Sequence, residues 1–233
     1  MKLEGKLVLI TGGTRGIGKT TAEWLAREGA AVCVTSRTAT PMLPTSPLTP
    51  GEIATASLDV TEEKSVVSLF SWLEEKHGRL DILVNNAGVG IFKPVVETTL
   101  SEWETVLSTN LTGLFLCSRE AYKLMKQHGG GRIINLSSIS GYLPLAENGA
   151  YGSSKFGVRG FSQICNEEWK HDRVLVTTVS AGAVCTEITD SRLFDPADML
   201  QPADIAEAIL DIATKPLSLR VDEIRILPPK GVL

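Results

Sequence analysis

A parallel, doubly wound α/β sheet is the fold predicted by three features of this 233-residue sequence. Short apolar runs alternate with longer segments of helical periodicity from residue 7 to residue 227. The first run, Leu7–Thr11, empties into a glycine turn, Thr11-Gly-Gly-Thr-Arg-Gly-Ile-Gly18, and a helical stripe follows. Polar or glycine clusters recur where the later apolar runs end: Asp59, Asn85 to Gly88, Ser137 with Ser138, and Ser180 to Gly182. In such sheets ligands bind beyond the carboxyl ends of the strands, so these clusters mark one prospective site.

From Ile17 the helical stripe places Ala22, Leu25 and Ala26 on one side, and Ala30 to Thr35 completes a strand-helix-strand unit. Its length is that of a dinucleotide-binding half. Pro41, Pro44, Pro47 and Pro50 forbid a regular helix between Thr38 and Gly51, which reads as an extended surface loop beside an open edge of the sheet. A third strand is expected at Ala54–Val60, a helix at Glu62–Lys76 and a fourth strand at Leu80–Asn85. One long helix is expected over Ser101–Gln127, with Ser101 and Glu104 matching a capping box at its start. Arg132–Ser137, Val174–Ser180 and Glu223–Leu227 complete seven strands, and Gly149–Lys170 and Pro202–Thr214 are the remaining helices. The expectation is a Rossmann-type, mainly parallel seven-stranded sheet with helices on both faces, in a single domain over residues 1–233.

Composition narrows the partners. Lys and Arg total 23 against 27 Asp and Glu, a net charge of −4, which argues against a nucleic-acid backbone as ligand. No apolar run approaches the roughly 20 residues that span a bilayer, and the start of the chain lacks a signal-peptide pattern, so no membrane is expected and the expected location is cytoplasmic. The four cysteines are scattered without a CxxC pair and indicate neither a disulfide framework nor a zinc site. His77, His128 and His171 sit near predicted helix ends, where C-terminal carbonyls are the expected partners, and no metal site is predicted.

The cofactor follows from charge. The spacing Gly12, Gly16, Gly18 provides a tight turn and close backbone approach to a pyrophosphate at a helix N-terminus. A site for NAD places Asp or Glu at the end of the second strand to hold the ribose 2′-hydroxyl. Here that end is Ser36-Arg37, and no acidic residue occurs between Glu28 and Glu52. Arg15 and Arg37 offer two guanidiniums for a 2′-phosphate, so NADP(H) is the expected cofactor.

Tyr151 and Lys155 share a helix face at a spacing of four, where an ammonium can lower a phenol pKa that starts near about 10. Tyr122 and Lys126 have the same spacing. Only Tyr151 follows a strand-end serine cluster; Tyr122 lies late in a helix and reads as a surface pair.

These residues together resemble the short-chain dehydrogenase/reductase family over essentially the whole chain. The resemblance is carried by TGGTRGIG, Asp59-Val60, Asn85-Asn-Ala-Gly88, Asn110, Asn135-Leu-Ser-Ser138, Tyr151-xxx-Lys155 and the tail of Gly182-x-Val-x-Thr186. Within the family it is similar to the 3-oxoacyl-carrier-protein reductase type and neighbouring carbonyl reductases. The resemblance implies an NADPH-dependent carbonyl reductase or alcohol dehydrogenase acting on a small-molecule carbonyl or alcohol, 3-oxoacyl thioesters included. It implies a tetrad. Tyr151 is the general acid/base, Lys155 tunes it and holds the nicotinamide ribose, Ser138 holds the carbonyl oxygen, and Asn110 holds a relay water. Gly12, Thr14, Arg15, Gly16, Ile17, Gly18, Ser36, Arg37, Asp59, Val60, Asn86, Ala87, Gly88, Tyr151, Lys155, Gly182, Val184 and Thr186 are the implied cofactor contacts. It also implies a homo-oligomer, a tetramer packed through helices 101–127 and 149–170.

Three departures from the family pattern carry expectations. Ala181 stands where proline is common and should loosen the loop at Gly182; the proline-rich loop replaces a helix; and a short lid, about 187–201, should leave an open pocket. Ile139, Tyr142, Leu143 and Phe92 are candidate pocket linings. The competing reading is a non-catalytic NADP(H)-binding sensor or scaffold, which has no need of a complete tetrad.

Overall fold

The computed structural model describes residues 1–39, 43–188 and 195–232. Seven strands form one sheet: β1 Leu7–Thr11, β2 Ala31–Ser36, β3 Ile53–Ser57, β4 Ile82–Asn85, β5 Gly131–Ser138, β6 Val174–Ala181 and β7 Glu223–Ile226. Their spatial order is β3-β2-β1-β4-β5-β6-β7, and every neighbouring pair is parallel. The helices are α1 Gly16–Arg27, α2 Glu63–His77, α3 Leu100–Leu107, α4 Gly113–Gln127, α5 Gly149–Trp169 and α6 Pro202–Thr214.

Alternation along the strands sorts the helices into two layers. In β1, Leu7 and Leu9 join a core with α2, α4 and α5, whereas Val8 and Ile10 join a second core with α1 and α6. Both faces of the sheet are thereby covered, as a parallel sheet of apolar strands requires. The strand order reverses between β1 and β4, so the loops after these two strands diverge and leave a crevice at their carboxyl ends.

Several local expectations are corrected. The helix expected over 101–127 is three pieces, because a π-helical turn at Ser108–Thr112 separates α3 from α4. Its N-terminal capping box is made by Thr99 and Glu102 rather than Ser101 and Glu104. The proline-rich stretch, whose residues 40–42 lie outside the described residues, is fastened rather than loose at its described end. Trp72 Nε1 donates to the Pro44 carbonyl at 2.9 Å, the Leu48 N–H donates to His77 Nε2 at 3.3 Å, and the Leu48 side chain is buried. His77 therefore accepts from a backbone N–H instead of donating to helix carbonyls. Ala181 is buried in register between Ser138 and Ile226, and the Gly182 N–H donates to the Ile226 carbonyl, so the loop is held there and not loosened.

Candidate active site

The glycine turn is built by close approach. Gly12 has φ 64°, and a Cβ there would lie 2.9 Å from Ala87 Cα; one on Gly18 would lie 2.5 Å from Asn86 Nδ2. Only glycine fits where these backbones meet. Asn86 fixes the contact by donating to the carbonyls of Thr11 at 3.0 Å and Gly12 at 2.7 Å. Thr11 Oγ1 in turn accepts from the N–H groups of Asn86 and Ala87.

A cleft of about 400 Å³ opens at this point. Its wall gathers Gly12, Thr14, Arg15, Gly16 and Ile17 from the turn, and Ser36 and Arg37 from the end of β2. Asp59 and Val60 follow β3, Asn86, Ala87 and Gly88 follow β4, and Thr186 follows β6. Five expected contacts lie elsewhere: Gly18 sits behind the turn, Gly182 packs beside Pro228, Val184 is buried in a bridge to Leu200, and Tyr151 and Lys155 do not line the wall, although Lys155 Nζ would lie 4.0 Å from a Cβ on Gly88. Asp59 directs one carboxylate oxygen to the N–H and hydroxyl of Thr61, shaping its own loop. The wall also contains Thr35, Leu58, Thr61, Val89, Thr109, Cys185, Glu187 and Ile188, which sequence reasoning missed. Most adjoin a strand-end residue already singled out; Thr109 has no such signal.

The first turn of α1 carries no acidic side chain, and its N-cap Arg15 makes no side-chain cap. Its N–H groups are left for an anion, and with the positive end of the helix dipole this fits a dinucleotide pyrophosphate. Arg15 nevertheless has a partner, since its guanidinium pairs with Glu187 across the cleft.

The expected tetrad converges. Ser138 ends β5, and its hydroxyl donates to Ser140 Oγ at 3.4 Å while accepting from the Ser140 N–H at 3.2 Å, close enough to the Tyr151 phenol to favour its ionised form. Ser140 donates in turn to Asn148 Oδ1 at the start of α5. Lys155, one turn beyond Tyr151, is buried and donates to the Leu136 carbonyl at 2.9 Å; its Nζ lies 5.5 Å from the centre of the Tyr151 ring. Asn110 lies in the π turn, where its side chain bridges Val89 to Ser154. Oδ1 accepts from the Val89 N–H at 2.8 Å, and Nδ2 donates to the Val89 carbonyl and Ser154 Oγ. A π turn leaves backbone carbonyls without helical partners, which suits a water-binding role better than an unbroken helix.

One electrostatic expectation fails. Burial pushes the Tyr151 phenol above its usual value, and the nearby Ser138 hydroxyl only partly offsets this. Lys155 does not lower it, because its ammonium is turned to the Leu136 carbonyl. Burial also pulls Lys155 down to about 8.

Phe92 meets the Tyr151 ring edge-on at 5.1 Å. The segment carrying it is fastened to the start of α5 by the Lys93 N–H donating to the Glu147 carbonyl at 2.8 Å. Of the other candidate linings, Leu143 is half exposed and Ile139 is buried. Tyr142 is committed to a different cluster, with the Arg159 guanidinium 3.4 Å above its ring. Residues 189–194 of the expected lid lie outside the described residues. The stem is closed by the Leu200 N–H donating to Ala183 and the Cys185 N–H to Leu200.

Among the described residues no group of His, Cys, Asp and Glu could hold a metal ion, and no helix is long and apolar enough to cross a membrane.

Comparison with known proteins gives this arrangement its family. The short chain dehydrogenase model matches residues 6–196. The chain is 33% identical over 225 residues to a 3-oxoacyl-[acyl-carrier-protein] reductase of Synechocystis sp., covering 92% of this chain and 91% of that protein. Among solved structures, a metagenomic short-chain oxidoreductase in complex with NADP superposes with TM-score 0.82 at 29% identity, covering 98% of this chain and 99% of that one. ElxO with NADP bound gives 0.85 at 31% identity, covering 95% and 97%. The chain belongs to the short-chain dehydrogenase/reductase family and is an oxidoreductase of that family.

Proposed function

We propose that this protein is an NADPH-dependent carbonyl reductase, able to run as an alcohol dehydrogenase in reverse. The observation that carries the reading is the meeting of Asn110 and a buried Lys155 at Gly88, in the wall of a cleft fitted to a dinucleotide, with the Tyr151 ring 5.5 Å from the Lys155 ammonium. NADPH supplies the hydride. Tyr151, held protonated at neutral pH by its raised pKa, donates a proton to the substrate oxygen, which Ser138 positions. Lys155 keeps a positive charge close to the developing alkoxide. Asn110, through its π turn, is the proposed anchor of a water path toward Lys155.

For the cofactor, Arg15 and Arg37 in the wall and the absence of a carboxylate near the end of β2 support NADP(H) over NAD(H). The matched 3-oxoacyl reductase and the half-exposed ring of Phe92 over Tyr151 support carbonyls with an apolar flank, 3-oxoacyl thioesters among them. The test is nicotinamide absorbance during incubation with a carbonyl panel that includes acetoacetyl thioesters, together with titration of NADPH and NADH. Turnover with NADPH is expected. Tight NADPH binding without turnover would indicate a non-catalytic sensor, and equal affinity for the two cofactors would overturn the NADP(H) assignment.

We further propose a single domain, and a homo-oligomer, a tetramer, packed through the outer faces of α4 and α5. There Phe115, Phe156 and Ile164 are exposed, and light scattering of the purified protein tests it. Free cysteines throughout fit the reducing cytoplasm.

A further inference from the structure

We propose that Glu187 is a specificity-determining residue that competes with cofactor phosphate for Arg15. The inference rests on the NADP(H) reading above and concerns how that discrimination is set.

Arg15 Nη1 and Glu187 Oε2 are paired although 172 positions apart in sequence, and both residues line the cleft. The contact is doubled one residue earlier, where a Cβ on Gly16 would lie 3.6 Å from Thr186 Cγ2. The chain leaving β6 therefore rests on the glycine turn at two successive positions and crosses the space between the turn and the loop after β4. No carboxylate of α1 itself competes for Arg15, because the first turn of that helix is free of acids. Glu187 is the acid that the fold brings there.

Exposure shows that the pair is not a device for stability. The two side chains are 70% and 66% exposed, and ion pairs of that kind contribute little to folding. Its consequence is to the charge of the cleft. With Glu187 in place, the positive charge of Arg15 is largely cancelled before any nucleotide arrives. A phosphate, with its higher charge and three acceptor oxygens, can displace a carboxylate from a guanidinium. NADPH offers Arg15 a 2′-phosphate and NADH offers only a hydroxyl. Both dinucleotides bring a pyrophosphate to the α1 N–H groups, but only NADP(H) adds a 2′-phosphate for Arg15, so the exchange of partners favours NADP(H), and Glu187 reduces both its affinity and the margin over NAD(H). Arg37, on the other side of the same cleft, supplies the remaining discrimination.

A double-mutant cycle on the whole protein decides this, with NADPH and NADH dissociation constants measured by calorimetry for the wild type, Glu187→Gln, Arg15→Ala and the double variant. Glu187→Gln is expected to tighten NADPH about tenfold and NADH less than about threefold. In the Arg15→Ala background the same change should tighten NADPH by less than about threefold. Equal tightening in both backgrounds would reduce Glu187 to long-range repulsion, and weaker NADPH binding by Glu187→Gln would make it a supporting contact; either overturns the proposal. Equal NADPH and NADH affinities in the wild type would instead strike the NADP(H) reading, while the Arg15–Glu187 coupling measured with NADPH still decides this one. Both side chains are exposed, so unchanged melting temperatures are expected to accompany these shifts.

Discussion

The chain carries Tyr-x-x-x-Lys twice, and the pair with the closer lysine is the one far from the cleft. Lys126 Nζ lies 3.3 Å from the Tyr122 hydroxyl, the direct contact that the spacing promises. Lys155 ignores its tyrosine oxygen and donates to the Leu136 carbonyl. Spacing sets reach, and the neighbours set the partner. On the exposed helix surface nothing competes for Lys126 except Asp172, 3.2 Å away, which also accepts from Tyr122 at 2.7 Å. At the carboxyl end of β5 a buried carbonyl claims the ammonium, and the phenol is left with Ser138 beside it and Phe92 against its ring. The first pair is a brace from α4 to the end of α5, reinforced by stacking of Tyr122 on Trp169 at 4.6 Å. The second leaves a protonated phenol beside a charge, under the half-exposed ring of Phe92.

The largest expected effect breaks the comparison outright. Tyr151→Phe should lower kcat by roughly 10²- to 10⁴-fold, the range for loss of a positioned general acid. Tyr122→Phe should leave turnover within about twofold and cost about 1 kcal/mol of stability, the worth of its bond to Asp172. Steady-state kinetics and denaturant unfolding on both variants check this; reversed roles, or a fully active Tyr151→Phe, would refute the assignment.

The lysines separate the pairs by the sign of their stability effects. Lys155 is charged in both folded and unfolded chains below about pH 8. Between about 8 and the ordinary 10.5, the unfolded chain holds the extra proton, so stability rises with pH through that window. The burial therefore costs about 3 kcal/mol at neutral pH, before its hydrogen bond is counted. Lys155→Met should raise the melting temperature, abolish that pH dependence and sharply lower kcat. In the wild type, the reductive rate should decline as pH passes about 8, where Lys155 loses its charge. Lys126→Met, at a pair open to solvent, should leave both stability and the rate profile nearly unchanged. A rate flat through pH 8 would remove the charge of Lys155 from the mechanism.

How much of this was legible in the sequence follows the range of the interactions involved. Strand positions and the glycine turn are local: short runs rich in apolar residues, in strands of four to eight residues, and a turn where Gly12 must take a positive φ. The cofactor-side residues were found because most lie at or just beyond a strand end, a property of order along the chain, whereas Asn110, Tyr151 and Lys155 lie on helical segments and were found by their resemblance to the family pattern. The π turn at Asn110 was not read, although Ser108–Thr112 (STNLT) holds four weak helix formers, because apolar periodicity continues on both sides of it. Two overlapping capping-box patterns start at Thr99 and Ser101, and the short helical turn at Val95–Glu97 makes the earlier one the true start. Contacts across the fold could not be read at all: Glu187 on Arg15, Pro44 on Trp72, and the Leu136 carbonyl that redirects Lys155. The direction of the Tyr151 pKa was missed because burial, which helix spacing does not show, outweighs its polar neighbours.

The aromatic neighbours extend the comparison at a smaller scale. Tyr122 rests on Trp169, which is only 9% exposed, while Tyr151 meets Phe92, which is 45% exposed. A buried ring is held by packing on every side, whereas a half-exposed ring over a phenol is available to a ligand. Phe92→Ala should therefore raise KM for an apolar ketone by about three- to tenfold, since the ring area lost is worth about 1 kcal/mol at roughly 25 cal/mol per Å². It should leave kcat within about twofold and unfolding free energy within about 1 kcal/mol. Trp169→Leu should do the opposite, costing about 2 to 3 kcal/mol of stability with KM unchanged. A hydroxylated ketone compared with an apolar one sharpens the result, because only the apolar substrate should register the loss of Phe92. If Phe92→Ala instead destabilises the fold as much as Trp169→Leu does, Phe92 is packing, and its ring says nothing about the substrate.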